Sequence, residues 1–259
     1  MTPEISIVTV NFGSAQKVKA LWNSLQQFLS SKEWEFIVVD NHSARNEGDE
    51  LEAFLQDFNN AHVIKLAQNT GFGVGNEEGI KFAKGEIIAI VNPDIEIQAQ
   101  TIDELLKVLK TEKVGIVTPI METHDQESLP NTWDFPSPFG LLARRLFGKK
   151  ETIVTQEITP VAWAQGSFLL MRKFFFLETL KGFDHRYFLF LEDTDLCRRC
   201  WQAGYRVLQV PSAKAFHGDK RLSGKGIWQS LKMKTFWIHI LSALKYFWKY
   251  RGKKRPDIF

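Results

Sequence analysis

The feature that most constrains the fold is an alternation of short β-branched runs with segments of helical periodicity. Residues 4–10, 36–39 and 87–91 are predicted strands, and residues 15–29 carry apolar side chains at helical spacing. Further predicted strands are 63–66, 114–118 and 206–210, and further predicted helices are 51–58, 74–83, 102–109, 174–180 and 196–203. Such repeated units favour an α/β fold with a mainly parallel sheet flanked by helices. Ligands of such sheets are expected beyond the carboxyl ends of the strands.

Composition excludes several classes of protein. Hydrophobic residues make up 44% of the 259 residues and charged residues 24%, which supports a large buried core and fits neither a disordered nor a fibrous chain. Cys197 and Cys200 have no second Cys or His pair to complete a metal site, so we predict that they are reduced and structural. The amino terminus lacks a secretory signal pattern, and the most apolar tract, 236–248, is shorter than the roughly 20 residues that a bilayer crossing needs. The sequence predicts a cytoplasmic protein, or one that is peripheral at the inner face of the plasma membrane.

A glycine-rich turn, residues 69–76, leads into a predicted helix. Its glycines allow the backbone to approach a nucleotide closely, and the helix start supplies free N–H groups for a phosphate. A tight structural turn is the alternative interpretation. A dinucleotide site would carry its glycines after the first strand, where residues 11–14 hold only one, so an NAD-dependent oxidoreductase is disfavoured.

Two candidate metal ligands follow predicted strands. Asp94 comes after the apolar strand 87–91, where a carboxylate is well placed to hold a divalent cation that bridges a diphosphate. The alternative is a turn in which Asp94 caps a helix. His217 follows the last predicted strand, and a lone histidine is more often a core or surface residue than a ligand.

Three acids, Glu192, Asp193 and Asp195, precede a predicted helix. Clustered carboxylates repel one another and raise one another's pKa, which suits a general base or a metal site. An acid at a helix start also satisfies free N–H groups, and Asp195 is the best candidate for that role.

These motifs follow one another in a recognisable order. They occupy residues 8–12, 38–43, 69–76, 92–94, 163–168, 182–184, 192–198, 203–205 and 216–217. Over residues 4–223 the chain resembles the family-2 inverting glycosyltransferases with the GT-A fold, and within them the rhamnosyltransferase-like branch of bacterial polysaccharide synthesis. The resemblance implies a Rossmann-like GT-A domain, residues 1–223, followed by a basic helical extension, residues 224–259.

The resemblance also implies a binding site for a nucleotide-sugar donor, dTDP- or UDP-linked. An acid after the second strand suits the imino N–H that thymine and uracil share. The glycine-rich turn would lie along the nucleotide and its phosphates, and residues 165–167 would line the sugar pocket. The implied donor-binding residues are Thr9, Asn11, Asp40, Asn69, Gly71, Asn76, Asn92, Gln165, Gly166 and Ser167.

The implied cofactor is Mg²⁺ or Mn²⁺. The family's metal motif usually carries two aspartates spaced by one residue, whereas here the first place is Asn92. This departure is common in the rhamnosyltransferase-like branch. It leaves Asp94 as the main protein ligand and His217 as the second.

The catalytic base falls by match with the family on Asp193. Its role would be to take the proton of an acceptor hydroxyl while that oxygen displaces the diphosphate from the opposite face of the sugar. Spacing alone leaves Glu192 as the alternative base. Glu192 and Trp163 are the candidate acceptor contacts, and a core role for Trp163 is an equal alternative.

The carboxyl-terminal segment is basic and aromatic. From Lys214 to Phe259 the chain has twelve Lys or Arg and two acids, so that the remainder is mildly acidic although the whole carries only +3. On a helical wheel one face carries Trp237, Ile240, Leu241, Leu244 and Trp248, beside Lys234, Lys245 and Lys249. Such a helix suits the headgroup region of an anionic membrane. The alternative is a helix packed on the core with a solvated basic end, and nucleic-acid binding is disfavoured because no module for it is present.

The sequence thus predicts a metal-dependent inverting glycosyltransferase. The most specific form of the hypothesis is transfer of rhamnose from dTDP-rhamnose to a lipid-linked glycan in cell-surface polysaccharide synthesis. The alternatives are the same chemistry with a UDP-hexose or UDP-N-acetylhexosamine, and a non-catalytic nucleotide-sugar-binding subunit. The acceptor, the linkage, the metal and a homodimeric state stay open.

Overall fold

The chain folds around a mixed β-sheet with helices on both faces. The computed structural model describes residues 2–30, 32–138, 140, 156–218 and 234–258. Predictions for residues 219–233, which contain the boundary between the two predicted segments and the start of the tail helix, lie outside the described residues.

Helices and strands alternate along the described chain. The strands are β1 Ile5–Asn11, β2 Trp34–Asp40, β3 Ala61–Lys65, β4 Ile87–Val91, β5 Ile95–Ile97, β6 Val114–Glu122, β7 Ser128–Leu129, β8 Thr132–Trp133, β9 Thr159–Pro160, β10 Trp163–Ala164, β11 Phe168–Arg172 and β12 Arg206–His217. The helices are α1 Ala15–Leu29, α2 Glu47–Leu55, α3 Phe72–Phe82, α4 Thr101–Leu109, α5 Glu192–Gln202 and α6 Lys234–Lys249, with a π-helical turn at Phe175–Thr179. The α/β fold class is confirmed.

The strand order of the main sheet explains where a ligand can bind. It is β3-β2-β1-β4-β11-β6-β12-β5. Strand β1 pairs in parallel with β2 and β4, and β2 pairs in parallel with β3, whereas β11 runs antiparallel between β4 and β6. The carboxyl ends of β1 to β4 therefore meet at one edge, and the amino end of β11 comes to the same edge.

Each face of the sheet is covered by its own apolar layer. Helices α1, α2 and α4 pack on one face, with Trp22, Leu25 and Leu105 among the buried residues. Helix α3, the π-helical turn and α5 cover the other face, where Cys197 and Cys200 are buried and free, as predicted. Because both faces are covered, the central strands are almost continuous apolar runs.

Two boundaries differ from the prediction in ways that matter for the site. Helix α5 begins at Glu192, four residues before the predicted start, so the acidic motif forms its first turn. Acids are favourable there because the first turn presents free N–H groups. Strand β12 continues to His217 instead of ending at Val210, through an irregular register. This extension carries His217 alongside β5, which the sequence did not predict.

No helix in the described part of the chain has both the length and the apolar character that crossing a membrane requires.

Candidate functional site

The sheet edge gathers the polar ends of strands that are far apart in sequence. Asn11 and Asp40 are register partners at the ends of β1 and β2, and the Asn11 Nδ2 atom donates to Asp40 Oδ1 at 2.8 Å. At the end of β4 the backbone N–H of Asn92 donates to the carbonyl of Ser167 at 2.9 Å. The topology thus places the 165–167 segment directly beside the 92–94 motif.

A cavity of about 550 Å³ opens above this edge. It lies between the end of β1, the start of α1, the glycine-rich turn, the 92–94 motif and the start of α6. Its wall includes Phe12, Lys17, Asn41, Asn69, Gly71, Phe72, Asn92, Asp94, Phe188, Lys234 and Ile238. A volume of this size suits a small ligand or cofactor.

Asn41 holds the glycine-rich turn in place. Its Nδ2 atom donates to Asn69 Oδ1 at 3.1 Å and to the Gly71 carbonyl at 3.0 Å. Its Oδ1 atom accepts the Thr70 N–H at 2.8 Å. One side chain after β2 therefore fixes the turn that enters α3.

Gly71 is required at the entry to α3 on two grounds. Its backbone has a φ of +84°, in the region that glycine tolerates and other residues rarely adopt. A Cβ atom at this position would overlap the carbonyl oxygen of Phe188. That carbonyl accepts the Phe72 N–H at 2.9 Å, so the close approach joins the turn to the segment before α5.

A second cavity, of about 270 Å³, adjoins the first. Phe72, Asn92 and Leu189 line both cavities. The rest of the smaller wall includes Trp133, Trp163, Gln165, Gly166, Ser167, Phe190, Glu192, Asp193 and His239. Two ligands that bind one in each cavity would meet beside Asn92.

Asp193 faces the smaller cavity from the first turn of α5. Its Oδ2 atom accepts the Gly166 N–H at 2.9 Å, and its Oδ1 atom accepts the Thr194 N–H at 2.6 Å. Burial raises the pKa of Asp193, while the hydrogen bonds from Gly166 and Thr194 oppose the rise because they favour the carboxylate. The result is a fixed carboxylate with more basic character than an ordinary aspartate.

Glu192 is equally buried but held differently. Burial, and next the charge of Asp193, hold the pKa of Glu192 well above its ordinary value. Its Oε2 atom is buried and has no hydrogen-bond partner among the described residues. The surroundings of Glu192 therefore favour its protonated form more strongly than those of an ordinary glutamate.

The backbone before α5 is strained. Phe190 and Leu191 have φ values of +69° and +67°, a left-handed conformation that bulky residues rarely adopt. Such strain costs about 1–3 kcal/mol per residue and persists where the surrounding structure enforces it, often at functional sites. Here it directs Glu192 and Asp193 into the cavity that Phe190 and Leu191 also line.

The prediction for Asp195 was wrong. Its carboxylate neither caps the helix nor faces the other two acids. It accepts from Arg199 Nε at 2.7 Å, Lys249 Nζ at 2.5 Å and Tyr250 Oη at 2.8 Å. The cause is the early start of α5, which turns Asp195 away from the cavity and towards α6. The raised pKa of Asp193 therefore comes from burial and not from repulsion by Asp195.

Asp94 and His217 each present an unpartnered donor atom of a kind that binds divalent cations. The Oδ1 atom of Asp94 and the Nδ1 atom of His217 are both buried without a hydrogen-bond partner among the described residues. The Gly218 N–H donates to the Asp94 carbonyl at 2.9 Å, which ties the end of β12 to the 92–94 motif. Within the described ranges no group of three or more His, Cys, Asp or Glu converges on a metal site. Two protein ligands are nevertheless enough for a metal whose other ligands are water and substrate phosphate.

Four predicted donor residues lie behind the wall of the larger cavity instead of lining it. Asn11 Nδ2 bonds Asp40, and Asp40 Oδ2 accepts the Ser43 N–H at 3.2 Å, so both side chains brace the loops after β1 and β2. Thr9 and Asn76 are buried, and each has a side-chain oxygen without a partner among the described residues. That these four residues contact a donor stays a prediction.

Several wall residues were missed by the sequence reasoning. Asn41 adjoins the predicted Asp40, and the 38–43 motif was the signal that pointed to it. Phe12 and Lys17 line the larger cavity from the start of α1, and Trp133 stacks on Trp163 at 4.6 Å in the smaller one. Phe12 ends the 8–12 motif, whereas Lys17 and Trp133 carried no local signal, since only the fold brings them to the site.

A solved structure shares this fold. A mannosyltransferase from Pyrobaculum calidifontis, solved with GDP-Man and Mn²⁺, superposes with a TM-score of 0.66 at 17% sequence identity over 99% of this chain. The chain spans 66% of that structure's length. The chain thus has the GT-A fold.

The family follows from the sequence. Residues 6–178 match the profile described as Glycosyl transferase family 2, so the chain belongs to this family and is a glycosyltransferase. It is 27% identical to the rhamnosyltransferase WbbL of Escherichia coli, over 93% of this chain and 92% of that protein. It is 25% identical to an N-acetylglucosaminyl-diphospho-decaprenol L-rhamnosyltransferase of Mycobacterium tuberculosis, over 87% of this chain and 79% of that protein. The resemblance drawn from the motifs is confirmed.

Proposed function

We propose that this chain transfers rhamnose from dTDP-rhamnose to a lipid-linked glycan by a metal-dependent inverting displacement. The observation that carries the proposal is the position of Asp193, a buried carboxylate with a raised pKa in a cavity that shares a wall with a second, larger cavity. The relatives named as rhamnosyltransferases, one of them acting on a diphospho-decaprenol, support the sugar and the acceptor class.

The larger cavity is the donor site in this proposal. Phe12 and Phe188 offer aromatic faces for a nucleobase, and the glycine-rich turn offers close backbone approach. Lys17 and Lys234 also line the cavity, and their positive charges favour a diphosphate there.

The cation belongs beside the diphosphate. Asp94 and His217 would hold Mg²⁺ or Mn²⁺, and this ion would supply stabilisation of the negative charge that develops on the departing diphosphate. Asp94 lines the donor cavity directly. An imidazole beside a carboxylate favours Mn²⁺ over Mg²⁺, because Mg²⁺ is the harder ion and takes oxygen ligands.

Asp193 acts as the general base in the smaller cavity. The attacking acceptor oxygen forms its bond to the anomeric carbon as the bond to the diphosphate breaks, and the hydroxyl proton passes to Asp193. The Gly166 and Thr194 N–H groups hold the carboxylate in one orientation throughout. A single displacement from the opposite face inverts the configuration of the sugar.

The acceptor sugar packs in this proposal against the paired rings of Trp133 and Trp163. Their planes lie 29° apart, and the Trp163 Nε1 atom donates to the Asp134 carbonyl at 3.0 Å, so the ring orientation is fixed. Fixed aromatic faces at a cavity wall give a large apolar contact area to the carbon face of a sugar.

The test is release of nucleoside diphosphate from a panel of dTDP- and UDP-sugars with Mn²⁺ or Mg²⁺ and a bacterial lipid extract. We expect release from dTDP-rhamnose that Asp193→Asn lowers by about 10²–10⁴-fold, the usual contribution of a general base. Glu192→Gln is the matched control, and it should keep turnover within about tenfold because the proposed displacement transfers no proton to Glu192.

The other outcomes reassign separate parts of the proposal. Release from a UDP-sugar alone would overturn the donor and keep the chemistry. Loss of turnover in Glu192→Gln but not in Asp193→Asn would make Glu192 the base. Metal-dependent donor binding without turnover of any donor would favour a non-catalytic binding subunit.

A further inference from the structure

Helix α6 has two faces with different roles. One face packs on the domain: Ser242 and Tyr246 are buried, and the Ser242 Oγ atom donates to the Leu189 carbonyl at 2.8 Å. Farther towards its amino end, Ile238 lines the larger cavity and His239 the smaller one. The inner face of α6 is therefore part of the walls of both cavities.

Ionic contacts hold this inner face against α5. The Lys249 Nζ atom lies 2.5 Å from Asp195 and 2.7 Å from Asp184, and Arg198 Nη1 donates to the Tyr246 hydroxyl at 3.2 Å. Lys249 was predicted to flank the apolar face, and that prediction was wrong because its ammonium group points towards the domain. The orientation of α6 is thus fixed by buried partners.

The opposite face of α6 is apolar and exposed. We call this surface the outer stripe; it consists of Trp237 (55% exposed), Leu241 (55%), Leu244 (62%) and Trp248 (74%). These positions recur every three or four residues, so they lie along one side of the helix. Four large apolar side chains in one row are more than the scattered exposed residues of an ordinary surface.

Positive charge adjoins the carboxyl end of the outer stripe. The exposed basic residues after α6 are Arg251, Lys253, Lys254 and Arg255, against the single acid Asp257. The Arg251 guanidinium lies 5.9 Å from the centre of the Trp248 ring, so charge and apolar surface adjoin. A second copy of this chain docked by the same face would bring two basic segments together, which like-charge repulsion disfavours.

We infer that the outer stripe docks on an anionic lipid bilayer. Trp and Leu side chains would enter the interfacial region while the basic residues contact lipid phosphates. Because the inner face of the same helix lines both cavities, docking would hold the cavities at a set height and angle above the bilayer. The consequence for a lipid-linked acceptor rests on the proposed function, whereas docking itself does not.

The test is co-sedimentation of the full-length protein with vesicles of phosphatidylcholine, with and without phosphatidylglycerol. We expect binding only to the anionic vesicles, weakened when salt rises from about 0.1 to about 0.5 M. The double variant Leu241→Glu/Leu244→Glu should bind about tenfold less, or weaker still, because both side chains face outwards. Removal of charge in Arg251→Gln/Lys253→Gln should weaken binding as well.

Matched controls separate docking from a general effect of charge. Phe82 (57% exposed) and Phe174 (73%) lie on other elements, so Phe82→Glu/Phe174→Glu makes the same change elsewhere and should bind like the wild type. Donor turnover without lipid should be the same in all these variants. Equal binding by the outer-stripe variant and the wild type would overturn the inference, and so would an absence of wild-type binding to anionic vesicles.

Light scattering measures whether the protein is a monomer or a dimer in solution. A wild-type dimer that Leu241→Glu/Leu244→Glu converts to a monomer would assign the outer stripe to a second copy and overturn the inference. If the protein fails to bind vesicles but keeps turnover that depends on Asp193, the docking inference is wrong and the proposed function stands. If it binds vesicles but turns over no donor, the proposed function is wrong and the docking inference stands.

Discussion

Glu192 and Asp193 are adjacent in sequence and equally buried, yet the fold gives them different chemistry. Asp193 receives backbone N–H groups from Gly166 and Thr194, whereas one Glu192 oxygen has no partner in the described chain. Hydrogen bonds to a carboxylate stabilise its charged form, and burial without them stabilises the protonated form. This difference divides the pair, because the charged form is favoured more at Asp193 than at Glu192.

This division predicts a pH-dependent gain of stability in Glu192→Gln. Because the pKa of Glu192 is raised on folding, the folded protein binds this proton more tightly than the unfolded chain does. The free energy of unfolding therefore falls as pH rises from the unfolded pKa of Glu192 towards its folded pKa. The variant should be more stable than the wild type at pH 7, and the gain should shrink as pH falls towards about 4, the range of an ordinary glutamate. Urea unfolding at both pH values measures it.

The control is the same change at an exposed glutamate. Glu112→Gln should leave the free energy of unfolding unchanged within about 0.5 kcal/mol at either pH, since Glu112 is at the surface. An equal gain in Glu192→Gln at both pH values, or a loss at pH 7, would contradict a raised pKa of Glu192 in the folded protein.

The same raised pKa at Asp193 predicts an acid limb in the activity profile. The base must be ionised to accept a proton, so turnover should decline as pH falls through the pKa of Asp193. The midpoint should lie above the range of an ordinary aspartate. A rate that stays constant down to the ordinary range would contradict a buried carboxylate as the base, and initial rates with saturating donor would show it.

At the residue scale, short motifs were predictable and long-range partners were not. Asp193, Gly166 and Asn92 stand in local patterns that the sequence displays directly. Asp195 stands in the same pattern, but its partner Lys249 is 54 residues away, and its role was predicted wrongly. Local spacing carries no information about which side of a helix meets a later segment.

The glycine-rich turn is the element whose geometry is easiest to test. Gly71 and Gly204 both have positive φ values, +84° and +80°, but a Cβ atom at Gly204 would meet no atom within 4 Å. We expect Gly204→Ala to cost about 1–2 kcal/mol, the strain of a left-handed alanine. Gly71→Ala should cost at least about 1 kcal/mol more because it displaces the Phe188 carbonyl.

The two variants should also differ in donor binding. The Phe188 carbonyl holds the Phe72 N–H, and both residues line the larger cavity, so Gly71→Ala should weaken donor affinity while Gly204→Ala should not. Chemical denaturation and equilibrium titration of donor with Mn²⁺ measure the two effects. Equal costs and equal affinities would mean that the close approach at Gly71 is unimportant.

Elements with strong periodicity were predictable almost to the residue. Helix α1 and strand β4 have the predicted bounds, because a long amphipathic pattern and a fully apolar run leave few alternatives. Strand β5 was not predicted, since three residues carry too little periodicity. The extension of β12 to His217 was missed for a related reason: β5, which pairs with it, lies more than a hundred residues earlier.

At the scale of the whole molecule, the relevant feature is that α6 packs on the domain. The sequence suggested a separate extension after residue 223, and the boundary itself lies outside the described residues. In the described part Tyr187, Leu191, Tyr246 and Tyr250 form one buried cluster, which joins the segment before α5 to α6. A tail that shares a core with the catalytic motif should contribute to the stability of that motif.

We therefore predict that a chain ending at residue 233 is destabilised and loses turnover. Truncation would expose the Tyr187 and Leu191 side chains and leave Asp195 without Lys249 and Tyr250, at a cost of roughly 5 kcal/mol. Thermal unfolding should show a lower midpoint, and hydrogen exchange should be faster in α5. Leu241→Glu/Leu244→Glu is the control, because it keeps the inner face of α6 and should unfold like the wild type. A truncated chain with the wild-type midpoint and turnover would show instead that α6 is dispensable for the stability of the domain and for transfer.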